Sequence, residues 1–463
     1  MRSVTFNLLS RLSSNCAAGA RRILGTLRLW SVLVCLALVS SAQPGPQRDR
    51  IMPVSYGDWV ESGDLFSSKE AIEQSFRFIK ESGATDIYWR MLWEGHPIDR
   101  MVFFGNNLQA RNWRLKQAFE GTPYAWNPHE LAYPIEAAHK LGMKFYAWIV
   151  LYNEGAPPQA AGEYWYQSLF TYERPEYLAV DRTGRRRNYG ILEFAYPQAR
   201  QYWVDEVQEI LDKYPVDGIH IDTRTESPCP LWADEFGFNE PVVQEYLRRY
   251  GVDILKEDFD LEKWRSLRGE YLTLLLKEIA QRVHAQGGKL SLATSRGDYI
   301  GYPIGNIKLE WRKWMQERII DSLYLDEHGW CWGPNRPASP GVLPSDVEAI
   351  QPYGFMTDWP TERGLKPLDA AIREDYSPLA RKHGVKLYFR CYPYKARPTS
   401  KECCDHRATS TPKPLPEGWC QRMAAMPEFD GIVEVAPYFL KEKLPDLASR
   451  PRREQRRPWP VYK

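Results

Sequence analysis

Eight short apolar runs, with longer amphipathic stretches between them, recur along the chain, and this alternation limits the possible folds more than any other feature. The runs are Ile51–Tyr56, Thr85–Leu92, Met143–Leu151, Val216–Asp222, Lys289–Thr294, Ile320–Asp326, Val385–Tyr392 and Phe429–Val435. Helical periodicity fills Lys69–Glu81, His129–Lys140, Pro197–Lys213, Leu261–Gln286, Leu309–Glu317, Leu368–His383 and Trp419–Met426. Gly83, Gly142, Gly287 and Gly384 stand just ahead of strands, where a helix is expected to end. Repeated βα units need a parallel sheet, and eight of them favour a closed (β/α)8 TIM barrel of the α/β class over an open doubly wound sheet. An open dinucleotide-binding sheet would also want a glycine-rich phosphate turn after its first strand, and the sequence has none.

The rest of the chain is organised around that unit. Arg2, Arg11, Arg21, Arg22 and Arg28 precede an apolar run from Leu29 to Val39 and the small residues Ser40, Ser41 and Ala42. This order predicts a secretory signal over residues 1–42, with export and no stable membrane span after cleavage, because the run is shorter than the ~20 residues a spanning helix needs. A polar linker over 43–50, a barrel over 51–440 and a basic, Pro-containing tail over 441–463 follow. With 61 basic and 59 acidic residues the net charge is +2, which gives no reason to expect nucleic acid as a partner. Cys229, Cys331, Cys391, Cys403, Cys404 and Cys420 lie beyond the signal, where an oxidising compartment permits disulfides; their spacing fits no zinc site, and no cofactor is expected.

The connections after the second, third, fourth, sixth and seventh strands are long and rich in aromatics, whereas those from helix to strand are short. In a barrel the loops after the strands build the active face. The fourth strand reads Asp217-Gly-Ile-His-Ile-Asp222 and the sixth Asp321-Ser-Leu-Tyr-Leu-Asp326. Alternation sends Ile219, Ile221, Leu323 and Leu325 out to the helices, and His220, Asp222, Tyr324 and Asp326 into the barrel. The same counting turns inward Tyr88 and Arg90, Tyr146 and Trp148, and Tyr388, Arg390 and Tyr392, where a barrel filled only for packing would carry Val, Ile and Leu.

Carboxylates at strand ends with aromatics around them suit glycosidic bond cleavage, in which one carboxyl protonates the leaving oxygen and the other attacks or activates water. Asp222 is expected as nucleophile or base, with a buried ion pair, for instance with Arg90, as its structural alternative. Glu327 and Asp326 compete for the acid. Arg90, Trp148, Asn153, His220, Tyr324 and Arg390 are expected to hold a carbohydrate substrate. Trp330 and Trp332 flank Cys331 as stacking platforms, and Glu434 falls on the outward parity of the eighth strand unless a bulge re-aims it. Asn153 and Glu154 also fit a turn closed by Gly155. A carbohydrate-binding barrel without catalysis is the competing function.

Through Asp217-Gly-Ile-His-Ile-Asp222, the opening strand and the helices that follow, the chain resembles glycosyl hydrolase-like family 10, a family of secreted bacterial TIM-barrel proteins, from about Ile51 to Pro437. Members look like relatives of α-amylase-type barrels, in which the Asp ending the fourth strand is the nucleophile, and the resemblance implies that role for Asp222. Two departures stand out. Thr223, Arg224 and Thr225 follow Asp222 where a second Asp and aromatics are usual, and the fifth strand runs into Ala293-Thr-Ser-Arg-Gly-Asp298 without the acid Glu of the related barrels.

Overall fold

A computed structural model describes residues 48–54, 65–66, 69–90, 96, 100–103, 131–155, 166–225, 227, 230, 233–301, 304–325, 366, 368–390 and 418–433. Asp326, Glu327, Trp330, Trp332, Tyr392, Glu434 and the segments before Arg48 and after Val433 lie outside these residues, as do all the expected disulfide cysteines except Cys420.

Eight parallel strands close into a barrel. They are β1 (Asp49–Val54), β2 (Asp86–Arg90), β3 (Lys144–Val150), β4 (Gly218–Asp222), β5 (Lys289–Thr294), β6 (Ser322–Leu325), β7 (Lys386–Arg390) and β8 (Gly431–Val433), each falling within or against its expected run. β1 starts at Asp49, so the last two residues of the expected linker belong to the sheet, paired to Gly431 and Ile432. The main helices are α1 (Lys69–Glu81), α2 (Ala132–Lys140), α3 (Pro197–Lys213), α4 (Glu240–Tyr250), α5 (Leu261–Ala285), α6 (Trp311–Gln316), α7 and α8 (Trp419–Ala425), with a one-turn helix Leu169–Glu173 in the loop after β3; α7 joins Leu368–Ala371, a π-helical turn Ile372–Tyr376 and Ser377–His383. The four glycines expected to close helices take positive φ, between 66° and 92°. Among the described residues no helix is long and apolar enough to cross a membrane.

The strand register is set at the N-terminal rim by one repeated device. Thr85 Oγ1 accepts from Arg50 N at 3.0 Å, Asp217 Oδ2 from Phe145 N at 2.8 Å, Asp321 Oδ2 from Leu290 N at 2.9 Å and Asp430 Oδ2 from Leu387 N at 2.8 Å. Each of these residues leads an even-numbered strand. Each also donates its own N–H to the carbonyl of the same partner, Arg50, Phe145, Leu290 or Leu387. Their carbonyls then accept from Lys144, Lys289, Lys386 and Asp49, the first residues of the next odd strands, and the last of these contacts joins β8 to β1. The leading Asp of the shared fourth- and sixth-strand pattern therefore works at the base of the barrel, and the closing Asp222 at its mouth.

Close approach explains the glycines that follow two of these residues. A Cβ on Gly218 would lie 2.1 Å from Lys289 O and 2.6 Å from Tyr146 Cε1, and one on Gly431 would lie 2.2 Å from Asp49 O. The expected parity holds, with Ile219, Ile221, Leu323 and Leu325 in the core between strands and helices. Inside the barrel, Tyr88, Tyr146, Tyr324 and Tyr388 pack with Ile51, Ala293 and Val433.

Three short antiparallel strand pairs in the loops and α4 have no counterpart in the sequence pattern. Met101–Phe103 pairs with Tyr166–Ser168, Leu178–Val180 with Arg187–Leu192, and Tyr299–Gly301 with Gly305–Lys308. Segments this short carry too little periodicity to register. α4 roofs a satellite core of Phe238, Val242, Val243, Tyr246, Ile254, Trp264 and Leu267, set apart from the core that the barrel helices share.

Burial works against the Asp321 charge, yet the Leu290 N–H, His284 and Lys289 outweigh it and hold the carboxyl below its usual range. Asp321→Ala would leave the Leu290 N–H without that acceptor and is expected to cost about 1–3 kcal/mol, with Asp321→Asn costing less because an acceptor oxygen remains. Denaturant unfolding measures this, and an Ala variant as stable as the wild type would deny the clasp any weight.

Candidate active site

The C-terminal ends of β2, β3, β4 and β7 bring Arg90, Trp148, His220, Asp222 and Arg390 together, all buried, with Tyr324 of β6 beneath them. The Trp148 ring lies edge-on to His220 at 5.9 Å, and the His220 ring sits 4.5 Å from Tyr88 and 5.5 Å from Tyr324. Arg90 lies over the Trp148 ring at 5.4 Å and Arg224 over the same ring at 5.1 Å. Arg390 lies over Tyr324 at 5.8 Å. Stacking of this kind fixes the plane of a guanidinium and leaves its N–H edge for acceptors. In this packing Trp148 supports two arginines.

Asp222 is 2 % exposed and its Oδ2 lies 3.4 Å from Arg224 Nε. Arg224 is the residue the sequence reading passed over, having entered only as a departure from the family pattern. Its signal was its place, two residues past a strand-end carboxylate. Burial, then the nearby Arg390 and Arg224 charges, keep His220 neutral, well below the usual histidine range. An imidazole held neutral carries one ring proton at ordinary pH.

Asn153 and Glu154 are buried past the end of β3. The Asn153 Oδ1 accepts from Ser227 Oγ at 3.2 Å, and the same hydroxyl accepts from Gly155 N at 3.1 Å, which ties the loop after β3 to the loop after β4. Glu154 meets His96 at 3.9 Å, beside Tyr202, Trp203 and Glu206 of α3. It thus faces the helix layer. Elsewhere Arg268 of α5 holds Glu193 in the loop after β3 at 3.0 Å and Phe236 O in the loop after β4 at 2.9 Å, and Arg265 holds Asp234 of the latter loop, with Nε to Oδ1 at 3.0 Å. Asp298, beyond β5, accepts from Trp311 Nε1 at 3.0 Å and pairs with Arg312, a packing role. Among the described residues no group of three or more His, Cys, Asp or Glu could hold a metal ion.

Burial raises the Glu154 carboxyl to about 8, opposed by Ser168 and aided by Glu206, and burial lowers His96 to about 3. Near pH 7 this pair is an uncharged acid facing an uncharged imidazole. The Glu154 term favours folding below its unfolded value near 4.5 and is lost as pH rises through about 8; the His96 term is present above 6.5 and lost as pH falls towards 3. Glu154→Gln is therefore expected to gain stability relative to wild type between pH 5 and pH 8, by on the order of 2 kcal/mol. Parallel pH–stability curves for the two proteins would contradict it.

Comparison with known proteins bears on the same region. No curated protein matches the chain. Among solved structures, a β-galactosidase from Marinomonas ef1 aligns at 12 % identity over 79 % of this chain and 50 % of its own length, with a TM-score of 0.41. The catalytic domain of a β-amylase from Paenibacillus polymyxa aligns at 8 % identity over 76 % of this chain and 87 % of its own, with a TM-score of 0.42. An exo-β-N-acetylglucosaminidase from Vibrio harveyi aligns at 11 % identity over 85 % and 50 %, with a TM-score of 0.37. The chain thus spans half the length of the Marinomonas and Vibrio enzymes. Residues 115–327 match a protein family, and they hold β3 to β6 with His220, Asp222 and Arg224. The family model they match is that of Glycosyl hydrolase-like 10.

Proposed function

We propose that the chain is an exported glycoside hydrolase that cleaves a polysaccharide or oligosaccharide at the barrel mouth. The observation that carries this reading is the placement of Asp222, an inward carboxylate at the end of β4, inside the region that matches a glycosyl hydrolase-like family. Its companions are groups that bind sugars well, namely fixed guanidiniums, a neutral imidazole and aromatic rings. Asp222 acts as nucleophile or base. Glu327 or Asp326, following β6, supplies the acid, and Arg90, Arg224, Arg390 and Tyr324 orient the sugar. Trp330 and Trp332 remain the stacking candidates of the same loop. Export rests on the basic, apolar and small-residue order of residues 1–42.

One observation favours a second reading. β5 ends at Ala293 and Thr294, with no carboxylate where related barrels have their acid. A barrel that binds glycans without cleaving them fits that feature.

The test is release of reducing ends from a panel of polysaccharides by the mature protein and by Asp222→Asn. Cleavage by the wild type that falls by at least about a hundredfold in the variant is expected, as for loss of an acid–base or nucleophilic group. Cleavage that survives the change removes Asp222 from the chemistry. No cleavage but retained glycan binding selects the binding barrel.

A further inference from the structure

His220 precedes Asp222 by two residues on β4 and shares its inward face. Which of its ring nitrogens carries the proton decides whether it offers the mouth a donor or an acceptor. The answer lies on the neighbouring strand. His220 pairs in register with Ser291 of β5, and Nδ1 lies 2.9 Å from Ser291 Oγ. From β2, across the barrel, the Tyr88 hydroxyl donates to the same Oγ at 3.2 Å. Ser291 is fully buried. A serine hydroxyl accepts through two lone pairs but has one proton to give. With Tyr88 as a donor, Nδ1 is the acceptor left for that proton among these contacts. A nitrogen that accepts a proton bond carries no hydrogen, so the neutral ring holds its hydrogen on Nε2. Among the described residues Nε2 makes no hydrogen bond.

We propose that Ser291 is a positioning residue: through the chain Tyr88 to Ser291 to His220 it fixes the imidazole as the Nε2–H tautomer, which donates to a sugar oxygen bound beside Asp222. Among the described residues, the groups in ring or charge contact with the imidazole, Tyr88, Trp148, Tyr324, Arg224 and Arg390, include no carboxylate that would stabilise a second proton. The substrate half of this assignment rests on the glycoside-cleaving reading; the tautomer half stands without it.

The experiment uses the whole chain with ¹⁵N-labelled histidine, long-range ¹H–¹⁵N correlation spectra and His220→Gln to identify the resonance. Wild-type His220 is expected as Nε2–H, unchanged from pH 5 to 8. Ser291→Ala should give a mixture of tautomers, and Ser291→Thr, which keeps the hydroxyl, should restore the single state. On a cleaved glycan, Ser291→Ala should lower kcat/KM about tenfold, with the limbs of the pH profile unmoved and with Ser291→Thr recovering most of the loss. An Nδ1–H signal in the wild type, titration of His220 between pH 5 and 8, or an unaltered tautomer in Ser291→Ala overturns the proposal. Should the wild type cleave nothing, the hydrolase reading fails while the spectra still decide the role of Ser291.

Discussion

Everything at the mouth of this barrel depends on a ring of hydrogen bonds at its other end. Thr85, Asp217, Asp321 and Asp430 each grip the N–H and the carbonyl of one neighbouring strand and offer their own carbonyl to the strand on the other side. A strand repeats every two residues, so a slip of one position would turn His220 and Asp222 outward and Ile219 and Ile221 into the barrel. Fixing Asp217 at the rim therefore fixes which residues of β4 reach the cavity. The same holds for Tyr324 through Asp321. A half-buried, hydrogen-bonded aspartate at the base and a catalytic candidate at the top are parts of one specification, written along a single strand.

Above that ring the barrel interior departs from aliphatic packing. Four tyrosines fill the middle, and three guanidiniums stack on aromatic rings there, two on Trp148 and one on Tyr324. Burial makes each polar group there costly unless it has a partner, and the interior answers with hydrogen-bonded chains such as Tyr88 to Ser291 to His220. Such chains leave little freedom to the groups at their ends. The imidazole stays uncharged and oriented, while Arg224 stands against Asp222.

The barrel was legible because eight strands with outward aliphatic and inward polar positions leave a period-two trace, and several of the helices between them end at glycines. The inward set Arg90, Trp148, His220, Tyr324 and Arg390 followed from parity alone. Parity ends where the strand does, which is why Arg224 escaped notice and why the sequence left Asn153, which bonds to Ser227, open between a sugar contact and a turn residue. Glu154 illustrates a second limit. Its sequence position beside Asn153 suggests the mouth, but the chain turns after Leu151 and delivers it to His96 in the helix layer. Contacts between residues 58 positions apart, as these two are, leave no local pattern to read.

The rim ring has a topological consequence. Asp49 N bonds to Asp430 O, so the first and last strands meet through the same kind of contact that joins strands adjacent in sequence. Closure is thus indifferent to chain order: four equivalent two-strand modules are arranged head to tail, and the position of the covalent break between the last and the first is arbitrary as far as the ring is concerned. A circularly permuted chain would present the same modules to one another, which makes this barrel a cyclic assembly that happens to be encoded by a linear polymer.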